Sequence, residues 1–270
     1  MLKDITFGQY YSANSVIHRA DPRVKIVLMI LSIVFIFLSK NIFSLLLSCG
    51  FVFAVLLVSK VPLKLFLKNL KAILPILIFT AIINMFYNDG TATVIFSVWK
   101  LSVTDAGLYR AFFMATRIVL LIFISSVLTY TTTPNDLTDA LEKLFSPLKY
   151  VGLKNAVHTL AMMMTIALRF IPTLIEEAEK IMNAQKARGA DFESGSLKDR
   201  AKALIPILIP LLISSVRRAY ELAEAMECRC YNGGEGKTRM KQLKVKTNDY
   251  MMMTVSVLFC VGIIIINIFG

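Results

Sequence analysis

Two histidines and four cysteines in 270 residues leave little from which to build a metal or redox centre. A structural zinc site needs four nitrogen or sulfur ligands. Cys228 and Cys230 form the one close thiol pair, whereas Cys49 and Cys260 lie inside apolar runs, where a free Cys behaves as a small hydrophobe. His18 and His158 stand far from that pair in sequence, so no metal ligand set is expected. Acidic residues are scarce as well: 18 Asp and Glu face 30 Lys and Arg, for a net charge of +12. The paired acids that do occur, Glu176 with Glu177 and Asp136 with Asp139, fall in amphipathic helical stretches and read as solvated faces. His18 and His158 do not complete a Ser-His-Asp set, and no other placed acid, base or nucleophile stands out. The stretch GGEGKT at 233–238 has the look of a phosphate-binding loop, but the position five before Gly236 is Tyr231, and no strand precedes it. We expect no catalytic residue and no ATP site in this chain. The start, MLKDITFGQYYSANS, lacks the apolar stretch of a signal peptide.

Hydrophobicity is what the chain has in excess. Apolar residues make up 56% and the mean hydropathy is +0.66, above the usual range of soluble domains. A basic chain can address nucleic acid or an anionic membrane surface, and long apolar runs decide for the membrane. Runs near the 20 residues needed to cross a bilayer cover 24–39, 42–59, 72–88, 111–130 and 250–270. Five spans are therefore expected. Only Lys40 and Asn41 separate the first two, which predicts a tight helical hairpin. Arg19, Arg23 and Lys25 precede span one, and Lys60, Lys64, Lys68 and Lys71 precede span three, whereas the opposite loops carry Lys40 and Lys100. The positive-inside rule then puts the N-terminus in the cytoplasm and, with five spans, the C-terminus outside. The stretch VPLKLFLKNLK at 61–71 can extend the short third span, and taken by itself it has two readings: an interfacial helix with snorkelling lysines, or a basic loop.

Between spans four and five, residues 131–249 hold 18 Lys and Arg and 14 Asp and Glu. Two uncharged runs of 14 residues, 155–168 and 203–216, end at Arg169 and at Arg217–Arg218. At about 21 Å each they are short for a span, though two extra short crossings would keep the parity of the count. A charged, Ala- and Glu-rich stretch follows each run, so we expect two long helices, bent at Pro172, Pro206 and Pro210. Gly189 should end the first, and Gly233 with Gly234 the second. Both carry a small-Arg-small sequence near the end, Ala187-Arg188-Gly189 and Cys228-Arg229-Cys230. A guanidinium between small side chains can enter a partner's groove and bond carboxylates or carbonyls there; alternatively it only complements the helix dipole. Two matched sites favour docking. Met162, Met163 and Met164 form either helix core or a soft surface able to accept several partners. Arg110 and Arg117 share a face of span four, and Arg117 should turn to protein or water.

These segments resemble a known family. GQYYSANSVIHRADPRVK at 8–25 looks like the N-terminal signature of the T component of energy-coupling factor (ECF) transporters. TTTPNDLTDALEKLFSPLKYVG at 131–152 resembles the opening of that family's cytoplasmic coupling domain, and ARGADFESGSLKDRAKALIPILIP and RRAYELAEAMECRCYNGGEGKTR its coupling helices. The resemblance implies an all-α integral membrane protein of a bacterial cytoplasmic membrane. Residues 1–130 would form a membrane domain of about four spans, 131–249 a cytoplasmic coupling domain, and 250–270 a last span. It further implies two ABC-type ATPase partners, which bind the ATP and Mg, docked at Ala187, Arg188, Gly189 and at Cys228, Arg229, Cys230. Cys228 departs from the alanine expected there. A substrate-capture subunit would rest on Met162, Met163, Met164, Ile207, Leu208 and Leu211, and no nucleic acid is involved. The N-terminal pattern looks most like the version shared among capture subunits for different vitamins. A dedicated cobalt, nickel or biotin importer is the nearer alternative, and a secondary transporter the farther one, lacking inverted repeats and midplane charges.

Overall fold

Asp21 accepts the backbone N–H of Arg23 at 2.9 Å, and Pro22 takes the first helical position, where its missing N–H costs nothing. This start opens α2, and comparable local signals set most of the other helices. The computed structural model describes residues 9–86, 94–98, 101–147, 154–190, 192, 196–232 and 245–269. In chain order the elements are α1 (Val16–Arg19), α2 (Pro22–Leu38), α3 (Ile42–Ser59), α4 (Leu63–Phe86), β1 (Val94–Val98), β2 (Leu101–Thr104), α5 (Asp105–Thr131), α6 (Pro134–Leu144), α7 (Lys154–Ala187), α8 (Leu197–Glu227) and α9 (Thr247–Phe269). They fall into two compact units, Gln9–Thr133 with Gln242–Gly270, and Pro134–Lys241.

The first unit packs α2, α3, α4, α5 and α9 around a core that includes Ile36, Val52, Phe66, Leu120, Ile124 and Ile263. Phe51 and Phe259 stack with centroids 4.0 Å apart, and Phe66 meets Phe123 and Tyr130 edge to face. A Cβ on Gly262 would lie 3.1 Å from Leu47 Cδ2, so glycine there lets α9 approach α3 closely. Buried serines do the same for α2 and α3. Ser32 and Ser48 return their hydroxyls to the carbonyls of Leu28 and Ser44, at 2.7 and 2.8 Å, and so carry no unmet polar group into the core. The outside of the unit is greasy, with Phe43, Leu46, Leu258 and Ile268 largely exposed, as a lipid-facing surface requires.

Both ends of this unit are closed by side chains that satisfy helix termini. At the α2–α3 turn, Asn267 Nδ2 donates to Leu38 O at 2.8 Å, and Arg117 donates through Nη2 to Ser39 O while its guanidinium lies 4.9 Å from the Phe113 ring centre. Arg117 thus turns inward, as expected. At the other end, buried Lys25 donates from Nζ to Thr131 O at 2.9 Å and His18 O at 3.3 Å, which caps the last turn of α5. Asp249, fully buried, accepts from the backbone N–H of Asp21 at 2.9 Å and of Lys246 at 2.7 Å, tying the starts of α2 and α9 together. His18 bridges Ser15 Oγ at 2.7 Å and Tyr11 O at 2.8 Å.

Burial, with Lys25 nearby, holds the His18 imidazole below its ordinary value of 6.5, against the opposing pull of the Tyr11 carbonyl. The neutral ring is therefore the folded form. Its contribution is complete above the unfolded value and declines as pH falls through about 6.5, because the unfolded chain then takes up a proton that the folded one resists. Amide protection factors across residues 11–20, each taken against the intrinsic exchange rate at its own pH, should be lower at pH 5.5 than at 7.5, and His18→Gln should remove that difference.

Three expectations change. The stretch at 61–71 is neither a separate interfacial helix nor a loop but extends the short third span: α4 runs unbroken from Leu63 to Phe86, through Pro75, with Lys64, Lys68 and Lys71 all exposed. The loop before α5 contains an antiparallel pair, β1 with β2, in which Val98 faces Leu101 and Ser97 faces Ser102. Six described helices, rather than five, are long and apolar enough to cross a membrane: α3, α4, α5, α9, and most of α7 and α8. The five expected spans correspond to α2, α3, α4, α5 and α9. At 17 residues, about 25 Å, α2 is shorter than those six, whereas α7 and α8 reach the length by continuing their 14-residue apolar runs into polar turns.

Candidate functional site: two matched helix ends

In the second unit α7 and α8 are 34 and 31 residues long, about 51 and 46 Å. The small-Arg-small sequences sit where they stop. After α7, Gly189 N–H donates to Lys186 O and Ala190 N–H to Gln185 O, both at 3.0 Å. After α8 the same bonds recur: Cys230 N–H to Glu227 O at 2.8 Å and Tyr231 N–H to Met226 O at 3.1 Å. Both are Schellman closures, which satisfy the last helix carbonyls from a residue in the left-handed region. That residue is Gly189, φ 86°, in one helix and Cys230, φ 54°, in the other. Arg188 and Arg229 therefore occupy equivalent positions in equivalent caps, and both are exposed. The expectation that Gly233 and Gly234 end the second helix is corrected here: Cys230 closes it, and those glycines lie outside the described residues.

A left-handed Cys carries a steric cost that glycine avoids, about 1–2 kcal/mol. Cys230→Gly should therefore raise stability by about 1 kcal/mol, and Gly189→Ala should lower it by a similar amount, both read as shifts in thermal unfolding of the purified chain.

Two contacts order the pair. Pro210 has no N–H to offer Pro206 O, and Gln185 Nε2 of α7 donates to that carbonyl at 3.5 Å. Arg218 Nη2 meets Glu177 Oε2 at 3.3 Å. The two contacts make the helices antiparallel over this stretch. They set the α7 end beside the first third of α8, so about 35 Å of α8 separates Pro206 from Arg229. Two arginines so far apart cannot share one small ligand. Glu142 of α6 meets His158 of α7 at 3.2 Å and ties the shorter helix on.

Among the residues expected to meet a capture subunit, Met163, Met164 and Leu208 are more than half exposed, Met162 and Leu211 are partly covered, and Ile207 is buried at 8%. The sequence reading missed Leu204, Ile205, Ile209, Leu212, Ile213 and Val216, which complete an open apolar face on α8. The all-round hydrophobicity of 203–216 was the signal that could have found them. Cys228 and Cys230 are exposed free thiols, and no group of metal-ligating side chains occurs among the described residues.

Residues 13–240 match the family described as CbiQ, cobalt transport protein. The chain is 52% identical, over 99% of its length and 98% of the relative's, to the energy-coupling factor transporter transmembrane protein EcfT of Ruminiclostridium cellulolyticum. The chain belongs to the CbiQ/EcfT family. Proteins of the same description from Clostridium kluyveri and Lactococcus lactis are 50% and 42% identical, each over 98% of this chain and at least 97% of theirs. Membership makes this chain a helical transmembrane component of an ECF-type transporter, in agreement with the resemblance read from its motifs. Nearly complete coverage in both directions extends the likeness to both units and to both arginine-bearing ends.

Proposed function

We propose that this chain is the non-catalytic coupling subunit of an ECF-type importer, linking ATP hydrolysis by two partner ATPases to vitamin uptake through substrate-capture subunits. The observation that carries the reading is the pair of identical caps presenting Arg188 and Arg229 at separate helix ends. One ATPase docks at Ala187, Arg188 and Gly189, and the other at Cys228, Arg229 and Cys230. At each site the guanidinium fork bonds carboxylate or carbonyl groups in a groove that only small neighbours let it enter. ATP and Mg belong to those partners. Closure of the ATPase pair moves the two ends relative to one another. The Gln185–Pro206 and Glu177–Arg218 contacts are the points at which α7 and α8 transmit or yield to that movement.

A capture subunit rests on the open apolar side chains, with Met163, Met164 and Leu208 as contacts and buried Ile207 acting only as support. The membrane orientation follows from charge. Lys25, Lys60, Lys64 and Lys68 collect at one end of the first unit, which we place in the cytoplasm with the N-terminus, leaving the C-terminus outside. The test is gentle purification of the tagged chain from its native membrane, with identification of the proteins that accompany it. Two ATPases with several small membrane proteins support the shared coupling role. A single capture protein identifies a dedicated importer, and the absence of any ATPase removes the proposal.

A further inference from the structure

A cavity of about 350 Å³ opens in the side of the first unit. Its walls come from α1, α2, α3, α5 and α9, and include Met29, Val55, Val58, Leu128, Met252 and Val255. At about 30 Å³ for a water-sized group it has room for about a dozen methylenes. The wall hydroxyls of Ser32 and Thr131 are both turned back, to Leu28 O and Val127 O at 2.7 Å, and the Lys25 ammonium is held by Thr131 O and His18 O. What remains for a guest is hydrocarbon surface, with the Ser256 hydroxyl the one further polar group on the wall. A polar solute would lose its hydrogen bonds on entry, whereas an alkyl chain would lose none.

The rim supplies the second half of the argument. Three of the wall helices end or begin in a cation within a few residues of the cavity. Arg19 follows Val16 and Ile17 in α1, Lys60 caps α3 just after Val58, and Lys246 precedes α9, whose Met251 lines the wall. The carboxylates among the described residues of this unit are Asp21, Asp105 and Asp249. Asp105 opens α5 at the opposite end, and both Asp21 and Asp249 are buried, the one paired with Arg23 and the other held by backbone N–H groups. An apolar slot below an uncompensated cationic rim complements one common molecule, a phospholipid with an anionic headgroup.

We propose that this cavity holds one acyl chain of an anionic phospholipid, with its headgroup between Arg19, Lys60 and Lys246. The full chain, purified with its partners and alone, is reconstituted into phosphatidylcholine vesicles containing phosphatidylglycerol with a photoreactive acyl chain, and the labelled peptides are mapped. Labelling should concentrate on the wall residues of α2, α3 and α9, and the same probe on a choline headgroup should label them more weakly. Changing Arg19, Lys60 and Lys246 to Gln one at a time should weaken headgroup selection roughly fivefold per cation. Ala54→Trp, at the exposed mouth, should abolish wall labelling, with Val58→Phe as a second blocking variant. Labelling spread evenly over outward residues such as Phe43 and Ile268, or equal for the two headgroups, would overturn the proposal. So would wall labelling seen in the isolated chain but lost in the complex, which would assign the cavity to a partner protein.

Discussion

Reversing both cap arginines, Arg188→Glu with Arg229→Glu, should strip the ATPases from the purified complex and with them ATP-dependent uptake. Removing one partner of a buried, hydrogen-bonded charge pair at an interface costs about 2–5 kcal/mol, and each end would lose such a pair and gain a repulsion. Co-purified ATPase should fall at least about thirtyfold for the double variant, by 1.4 kcal/mol per decade. Each single variant should release mainly the ATPase at its own end, because about 35 Å of helix lies between the two. Arg→Lys at both positions keeps the charge but loses the planar fork, and is expected to fall between the parent and the reversed pair. The fold should not suffer. Both side chains are exposed, and the Schellman bonds involve backbone groups alone, so thermal unfolding should move by less than about 0.5 kcal/mol. Normal assembly and uptake in the double variant would remove the docking assignment.

Asp249→Ala is expected to be the most damaging single substitution in the membrane unit. Its carboxylate is fully buried and takes the N–H groups of Asp21 and Lys246, residues far apart in the chain. Alanine leaves the buried N–H of Asp21 without an acceptor and removes the cap on the more open N–H of Lys246, at about 1–3 kcal/mol for the first and less for the second, for a loss of about 3 kcal/mol overall. Thermal unfolding in detergent is the measurement. Asp249→Asn keeps one acceptor oxygen and should lose about half as much. A change below about 0.5 kcal/mol for the alanine variant would mean that the two donors find water instead, and that the starts of α2 and α9 are not held together by this side chain.

The membrane helices were readable because lipid demands long apolar runs, and the runs ending at Ser39 and Ser59 mark α2 and α3 to within two residues. The turn at Lys40 and Asn41 was readable for the same reason. α4 was harder. Lys64, Lys68 and Lys71 interrupt its hydropathy, yet they share an exposed side, so the helix continues beneath them. The β1–β2 pair was visible in principle as β-branched and aromatic residues on both sides of Trp99 and Lys100, but strands of five and four residues carry little signal beside a 24-residue helix. At the site, spacing alone picked out Arg188 and Arg229. The shared cap did not show, because Cys is a poor guess for a left-handed position when Gly233 and Gly234 follow so closely. Nothing in the local sequence announces that Asp249 reaches the start of α2. A side chain bonded to a backbone N–H across 228 residues leaves no periodic trace.

The two caps share a backbone but not a chemistry. Gly189 offers nothing to a reagent, whereas the cap at Arg229 carries two exposed thiols, and the remaining cysteines lie elsewhere, in α3 and α9. The pair is thus a natural one-sided reporter. With Cys49 and Cys260 replaced by Ser, a thiol-reactive dye marks one of the two proposed docking ends and leaves its twin dark. Under the proposed docking, the arrival and departure of one ATPase would be followed while the other stays invisible. Here two residue changes between otherwise matched turns, Cys228 for Ala187 and Cys230 for Gly189, already supply the asymmetry.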